Sequence, residues 1–252
     1  PVFDLGIIIR IASNQNKNLN FTNFFKNYTK LRSFAVSFSS TFTSQTIEQG
    51  RNAFSSFYFP EEERAGIDAL GYMVEAFDLY TRLFGQITNQ NMSVVEAEFS
   101  DGMEFSNLFL LSKDFFTTYN GTPNSFLTTL VAHETAHQWW FGAVGNDQAI
   151  DPWLDEALCT YSEKLFYEFL YPDSLDWWWT YRVNYYSPTG KINLPVSDYS
   201  NFLEYRNAVY LNGALFLEDL RSHLGDQDFF DLLRTYHTRY TDKIASSQDF
   251  IK

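Results

Sequence analysis

The chain has 252 residues, of which 31 are acidic and 18 are basic, so its formal net charge is −13. Hydrophobic residues make up 45% and aromatic residues 19% of the sequence, a composition that excludes an intrinsically disordered protein and suits one large domain or two lobes. The negative charge argues against a general nucleic-acid binder, and the absence of a long apolar run predicts that no segment of this sequence spans a membrane.

The first 59 residues predict β-strands. A β-branched run occupies 2–11, and apolar residues alternate with polar or small ones at 34–38 and 54–59. The Asn-, Lys- and Thr-rich segment 13–30 is typical of a boundary loop. We therefore interpret residues 1–30 as the end of a preceding β domain or a linker.

A long helix is predicted after these strands. Pro60 and the three glutamates that follow it favour a helix start, because proline fits the first turn and carboxylates suit the positive end of the helix dipole. Apolar residues, among them Ile67 and Phe84, recur at helical spacing as far as Gly85. Two further strands, 93–99 and 107–112, are predicted to flank a Gly-Met-Glu turn.

The rest of the chain predicts helices and connecting loops. The start signals are Thr122-Pro123, Asp151-Pro152 and a Ser-to-Asp capping box at 246–249. The predicted helices lie at 122–141, 151–172, 203–224, 227–240 and from 246 onward. Because the last helix would begin so close to the end of the sequence, and the chain does not start with Met, we interpret it as part of a longer protein.

A metal-binding pattern stands on the first of these late helices, at His133-Glu134-Thr135-Ala136-His137. Two histidines four residues apart share one helix face, so their imidazoles can converge on one ion. Glu134 lies between them on the adjoining face, where it can hold a metal-bound water without being a ligand. The alternative is a chance coincidence of residues on a buried helix.

A third ligand and a supporting carboxylate are available on the next helix. Glu156 follows His137 by eighteen residues, and two histidines with one glutamate leave a fourth position for water, as in catalytic zinc sites. Glu163 lies two turns further along the same face. It is either a hydrogen-bond acceptor for a ligand imidazole or a solvated helix carboxylate.

Cys159, the single cysteine, is interpreted as a small buried hydrophobe; it forms no internal disulfide and does not indicate a compartment.

The motif resembles the signature of the gluzincin aminopeptidases, the aminopeptidase N family, which is His-Glu-x-x-His followed after eighteen residues by Glu. It is most similar to bacterial members. The flanking residues resemble that family too: His137-Gln138-Trp139-Trp140, Gly145-Asn146 and Trp153-Leu154-Asp155-Glu156. The resemblance implies one Zn²⁺ held by His133, His137 and Glu156, and a peptide substrate with a free N-terminus.

Two more elements resemble the family. Its Gly-x-Met-Glu-Asn loop matches Asp101-Gly102-Met103-Glu104-Phe105, with Asp101 and Phe105 as departures. This implies that Gly102, Met103 and Glu104 bind substrate and that Glu104 holds the α-amine; an ordinary turn carboxylate is the alternative. The family's oxyanion-binding tyrosine precedes a Gly-Ala pair and matches Tyr210, for which a core tyrosine is the alternative.

The resemblance further implies an α+β fold, that of a thermolysin-like metalloprotease domain over residues 31–252. We expect an N-terminal lobe of mixed β-sheet and helices at 31–150, an all-α lobe at 151–252, and the zinc site between them. Flanking domains are expected in the longer protein.

The implied activity is hydrolysis of the first peptide bond, with Glu134 as general base. Three alternatives stay open at this point: a thermolysin-like endopeptidase, an epoxide hydrolase, and an inactive scaffold on the same fold.

Overall fold

A computed structural model describes residues 4–10, 32–88 and 91–252. The chain forms two compact units: Pro1–Gly71 with Asn89–Gly121, and Tyr72–Thr88 with Thr122–Lys252. The predicted boundary loop at 13–30 lies outside the described residues, as does most of the predicted linker at 1–30. The described part contains both a β-sheet and many helices, so the predicted α+β class is confirmed at that level.

The first unit is built on two β-sheets. A parallel pair consists of β1 (Asp4–Arg10) and β2 (Arg32–Ser39). A five-stranded mixed sheet has the order β3-β4-β5-β7-β6. Its strands are β3 (Thr43–Gln49), β4 (Asn52–Tyr58), β5 (Asn91–Ala97), β6 (Gly102–Phe105) and β7 (Leu108–Ser112). The three central strands run parallel, and the edge strands β3 and β6 are antiparallel to their neighbours.

Two features of this sheet differ from the sequence prediction. Strand β3 is not predicted because most of its side chains are polar and exposed, as suits an edge strand. The predicted Gly-Met-Glu turn is wrong: Gly102–Phe105 is the edge strand β6, paired with β7. The chain reverses instead after Phe105, where Asn107 has a φ of +66°, a conformation that asparagine tolerates better than most residues.

Helix α1 (Glu63–Phe84) follows a short 3₁₀ turn at Pro60–Glu62, and Gly85, with a φ of +113°, ends it as predicted. Among the apolar residues that recur at helical spacing, Ile67 does not lie on the buried face of the helix, since its side chain is 43% exposed. The buried face of the helix includes Ala65 and Ala69, which lie two residues before and two residues after Ile67. A short helix, α2 (Lys113–Thr117), follows β7.

The second unit is mainly helical. Its α-helices after the end of α1 are α3 (Phe126–Ala136), α4 (Trp153–Leu170), α5 (Leu175–Trp178), α6 (Phe202–Tyr205), α7 (Gly213–Leu224), α8 (Asp226–Tyr240) and α9 (Ser247–Ile251). Two π-helical segments, Trp179–Val183 and Arg206–Asn212, continue α5 and join α6 to α7. Short 3₁₀ segments lie at Pro172–Ser174, Asn184–Tyr186 and Val196–Asp198.

Three details of this unit correct the sequence prediction. Helix α3 starts at Phe126 under a Ser125 cap, later than predicted, and ends at Ala136, after which the chain continues in turns. The prediction of helices and loops alone is also wrong, because β8 (Val144–Gly145) pairs in parallel with β9 (Lys243–Ile244). The predicted 203–224 helix is an α–π–α succession.

Glu96 in the first unit is a carboxyl group buried in the sheet. One of its oxygens accepts a hydrogen bond from the Phe59 N–H at 2.8 Å. The other has no hydrogen-bond partner among the described residues. Burial raises the pKa of the Glu96 carboxyl to about 7, and the nearby Glu62 adds to this, whereas the Phe59 N–H and Lys113 oppose it. The folded state therefore binds this proton more tightly than the unfolded state does.

We expect Glu96→Gln to stabilise the protein above pH 7. A carboxyl pKa that is higher in the folded state favours folding below about pH 4.5, and this contribution is lost as the pH rises to 7. Glutamine keeps an acceptor for Phe59 and carries no charge. The variant should gain about 2 kcal/mol relative to its parent between pH 4.5 and pH 8, allowing for partial solvent screening. Urea unfolding at pH 4.5 and pH 8 measures this gain in the free energy of unfolding, and the variant Glu98→Gln, at an exposed carboxylate, is the control. An equal gain in both variants would contradict the prediction.

Candidate metal centre

Helix α3 carries His133 and Glu134 in the interior of the second unit. Every residue of α3 from Leu127 to Ala136 is buried. The helix begins where the Ser125 hydroxyl accepts the N–H of Thr128 at 3.2 Å, which satisfies one of the free amides of the first turn. A helix enclosed on all sides holds its polar side chains in fixed positions, because water cannot replace their protein partners.

Helix α4 supplies the third candidate ligand. It packs against α3, and its first turn contains Asp155 and Glu156, where carboxylates suit the helix dipole. The Glu156 N–H donates to the carbonyl of Pro152 at 3.1 Å, which fixes the backbone at this position. The Glu156 side chain is buried beside the two histidines of the motif.

Three ligand atoms converge at this place. His133 Nε2 lies 3.2 Å from His137 Nε2 and 3.2 Å from Glu156 Oε2, and the distance from His137 Nε2 to Glu156 Oε2 is 3.5 Å. Ligands about 2.0–2.1 Å from a tetrahedral zinc ion are separated by about 3.4 Å. The donor set of two imidazoles and one carboxylate, and its spacing, therefore fit Zn²⁺.

The other ring nitrogens are held by acceptors. His133 Nδ1 donates to Glu163 Oε1 at 2.7 Å, and His137 Nδ1 donates to the carbonyl of Trp140 at 3.2 Å. Because each Nδ1 bonds to one of these acceptors, each Nε2 faces the other candidate ligand atoms and can bind a metal once it has lost its proton. Such outer acceptors fix the tautomer and orientation of a metal-binding imidazole.

The local electrostatics favour a cation. Burial opposes a positive charge on His133, but the carboxylates of Glu156 and Glu163 outweigh this effect and raise the pKa of its imidazole to about 9. Burial likewise opposes a negative charge on Glu156, yet hydrogen bonds from His133 and His137 lower the pKa of its carboxyl. The carboxylates of the site are therefore anionic. A metal ion can take the place of the protons that balance their negative charge.

Glu163 is fully buried, so the alternative of a solvated helix carboxylate is wrong. In addition to His133, it accepts hydrogen bonds from Trp178 Nε1 at 2.9 Å and from Arg182 Nε and Nη2, both at 2.8 Å. Burial alone would raise the pKa of its carboxyl, but Arg182 and His133 lower it. Arg182 and Trp178 are not predictable as site residues, because neither belongs to a spaced motif and the run Trp177-Trp178-Trp179 is typical of a hydrophobic core.

Tyr210 lies beside the ligand cluster, on the π-helical segment Arg206–Asn212. Its ring stacks on the His133 imidazole, with centroids 5.9 Å apart and an interplanar angle of 8°. Gly213, the first residue of α7, allows α7 to lie close to α4, since a Cβ atom there would lie 2.5 Å from the Cβ of Ala157. Burial and the Glu156 carboxylate raise the pKa of the Tyr210 phenol, so it remains a hydrogen-bond donor at neutral pH.

Glu134 is also buried at this cluster, with a carboxylate oxygen within 4.8 Å of a ring nitrogen of His137.

Cys159 is fully buried, and burial raises the pKa of its thiol. A thiol in that state is a poor nucleophile, which supports its interpretation as a small hydrophobe.

The residues of the predicted substrate loop belong to the first unit. Gly102, Met103 and Glu104 lie on β6, and Met103 is 45% exposed. Asp101, which stands where the related motif has glycine, has a φ of +84°. Its carboxylate accepts the N–H of Gly102 at 3.1 Å, a local bond that helps an aspartate adopt this left-handed conformation.

Comparison with known proteins decides the family. Residues 69–252, which make up most of the chain, match the family model described as the peptidase family M1 domain. The chain belongs to peptidase family M1. The predicted resemblance to the aminopeptidase N family is thereby confirmed.

One curated relative is aminopeptidase N of Streptomyces lividans, which is 27% identical to this M1 chain over 121 residues. That match covers 44% of this chain and 14% of the relative, so the chain corresponds to a small part of that protein's length.

Two solved structures share the fold. A variant of the M1 zinc metallopeptidase from Deinococcus radiodurans has a TM-score of 0.61 and 20% identity, covering 83% of this chain and 47% of that one. Native yeast LTA4 hydrolase has a TM-score of 0.65 and 15% identity, covering 83% and 35%. Within the residues that the structure describes, none of the helices combines the length and apolar character needed to cross a membrane.

Proposed function

We propose that this M1 chain binds one Zn²⁺ through His133, His137 and Glu156 and hydrolyses the N-terminal peptide bond of peptides. The observation that supports this most strongly is the convergence of the three ligand atoms at 3.2–3.5 Å from one another. Three protein ligands leave a position for water, which is typical of catalytic zinc and not of structural zinc.

The side chains around the ligands have complementary roles in this proposal. A bound Zn²⁺ supplies a Lewis acid and a water of lowered pKa. Glu134 accepts the proton of the attacking water and returns it to the leaving amine. Tyr210 donates a hydrogen bond from its phenol to the oxyanion of the tetrahedral intermediate. Glu163 holds the His133 imidazole in the orientation that presents Nε2.

Substrate selection is assigned to Glu104, with Met103 and Gly102 beside it. A carboxylate that binds the substrate's free α-ammonium group restricts cleavage to the first peptide bond. Support comes from the match of Asp101–Phe105 to the family's Gly-x-Met-Glu-Asn loop and from the aminopeptidase N relative. We also propose that residues 31–252 form a thermolysin-like domain, with an α+β lobe at 31–150 and a helical lobe at 151–252.

Three other functions would use the same fold. A thermolysin-like endopeptidase would not need an amine-binding Glu104, and an epoxide hydrolase would act on a different substrate class. An inactive scaffold would not need the zinc ligands or the base. Here His133, Glu134, His137 and Glu156 are all present and buried together, which favours catalysis.

Hydrolysis of aminoacyl amides with free and N-acetylated termini tests the proposed activity. We expect cleavage of the free substrates only, and its loss after chelation of the metal. Glu104→Ala should lower kcat/KM for free substrates by about 10–100-fold, since a charge-assisted hydrogen bond to a buried ammonium contributes about 1.5–3 kcal/mol. The exposed Glu98→Ala serves as the control. Equal cleavage of blocked and free substrates by the parent would favour an endopeptidase, and no cleavage with zinc bound would favour a scaffold.

A further inference from the structure

Arg182 and Trp178 form a second layer of contacts around the metal centre. Arg182 Nε lies 2.8 Å from Glu163 Oε2, and Nη2 lies 2.8 Å from Oε1. Trp178 Nε1 donates to Oε2 at 2.9 Å. The Glu163 side chain is fully buried, and that of Arg182 is only 11% exposed. This two-bond fork is the strongest geometry that an arginine and a carboxylate can form.

The fork fixes the atom that contacts the zinc ligand. Glu163 Oε1 accepts from both Arg182 Nη2 and His133 Nδ1, the latter at 2.7 Å. Two parallel bonds from a planar guanidinium set the plane of the carboxylate, and the Trp178 indole prevents rotation about its axis. Without the fork, Glu163 would keep single donors on each oxygen and would turn more freely. The His133 imidazole would then lose its fixed orientation.

The local backbone explains how Arg182 reaches this carboxylate. It lies in the π-helical segment Trp179–Val183, which directly follows α5 and Trp178. A π turn adds one residue to the helical turn and changes the direction of the side chains that follow, and such turns occur frequently at functional sites. The second π-helical segment, Arg206–Asn212, contacts the first and presents Tyr210 to the same imidazole. Both π-helical segments therefore act on His133.

We propose that Arg182, assisted by Trp178, is a positioning residue that sets the zinc affinity of this chain by fixing Glu163 against His133. This inference rests on the proposed function, because it assumes that His133 binds zinc. It gives a role to two residues that act on the metal centre through Glu163.

The second unit also contains a matched control. Arg221 forms the same kind of fork, with Nη1 2.8 Å from Glu168 Oε2 and Nη2 2.9 Å from Oε1, and its side chain is 9% exposed. Within the described part of the chain, Glu168 accepts hydrogen bonds from Arg221 and Lys164, and neither of these is a histidine. Removing either arginine breaks a buried fork. Of the two carboxylates in these forks, Glu163 is the one that contacts His133.

The test compares Arg182→Gln, Arg182→Lys, Trp178→Phe and Arg221→Gln in the full chain. Zinc affinity is measured by competition with a chromophoric chelator, ligand geometry by the visible spectrum of the Co²⁺-loaded protein, and stability by thermal unfolding of the metal-free protein. We expect Arg182→Gln to weaken zinc binding by about 10–100-fold and to alter the Co²⁺ spectrum. Arg182→Lys keeps the charge without the fork and should recover only part of the affinity. Arg221→Gln should lower the unfolding temperature and leave zinc affinity within about twofold of the parent.

Two results would overturn the inference while leaving the proposed function intact. One is parental zinc affinity and an unchanged Co²⁺ spectrum in Arg182→Gln. The other is an equal loss of affinity in Arg182→Gln and Arg221→Gln, which would show a general effect of stability. If Arg182→Gln does not fold, Arg182→Lys and Trp178→Phe decide the matter, since both retain most of the side chain and change its hydrogen bonds to Glu163. Failure of the parent chain itself to bind zinc would contradict the proposed function.

Discussion

Replacing Glu134 with glutamine is expected to abolish most turnover while the chain still binds zinc. Glutamine has the shape of glutamate but cannot accept the proton of the attacking water, and general-base catalysis contributes about 10²–10⁴-fold to such reactions. We therefore expect kcat to fall by that factor, with zinc content and KM close to those of the parent. Steady-state kinetics on a free aminoacyl amide, together with metal analysis, measure both quantities.

The matched control for this variant is Glu75→Gln. Glu75 is an exposed carboxylate on α1, also in the second unit, where it accepts the hydroxyl of Tyr171. Glutamine retains an acceptor for that bond, so activity should stay within about twofold of the parent. Turnover by Glu134→Gln at the level of this control would contradict the general-base role of Glu134.

Replacing His137 with alanine is expected to remove the metal. Zinc held by four ligands binds with about 10–16 kcal/mol, or about 3 kcal/mol for each ligand, so losing one imidazole should weaken binding by about 10²–10³-fold. The vacated Nδ1 position also leaves the Trp140 carbonyl without the donor it has in the parent. Zinc analysis after gel filtration should find well under one ion per chain, and activity should fall in parallel.

His223→Ala is the control for this loss. His223 is an exposed histidine on α7 whose Nδ1 contacts the carbonyl of Asp219 in its own helix. Removing it subtracts an imidazole without touching the ligand cluster. One zinc ion per chain in both variants would count against His137 as a ligand.

The candidate ligand set is predictable from sequence because helix periodicity is a local property. Four residues of spacing place His133, on α3, and His137, at the C-cap of α3, on the same side, and the His137 N–H still bonds to the His133 carbonyl at 3.3 Å. The start signal at Asp151-Pro152 places Glu156 in the first turn of α4, where the structure has it. What the sequence cannot supply is the crossing of α3 and α4 that brings the three ligand atoms within 3.5 Å of one another.

Arg182 shows where prediction from sequence ends. Its contact with Glu163 depends on a π-helical turn, and the residue types at 179–183 do not predict such a turn. Strand β6 is a second example, since Gly102–Phe105 has the composition of a turn and becomes a strand only by pairing with β7. In both cases tertiary contacts override local preference.

The most direct measurement for the proposed metal centre is anomalous diffraction from crystals of the zinc-loaded chain on the two sides of the zinc absorption edge. We expect one strong anomalous peak, about 2.0–2.1 Å from His133 Nε2, His137 Nε2 and Glu156 Oε2. A peak elsewhere in the chain, or none in a protein that cleaves aminoacyl amides, would contradict the proposal.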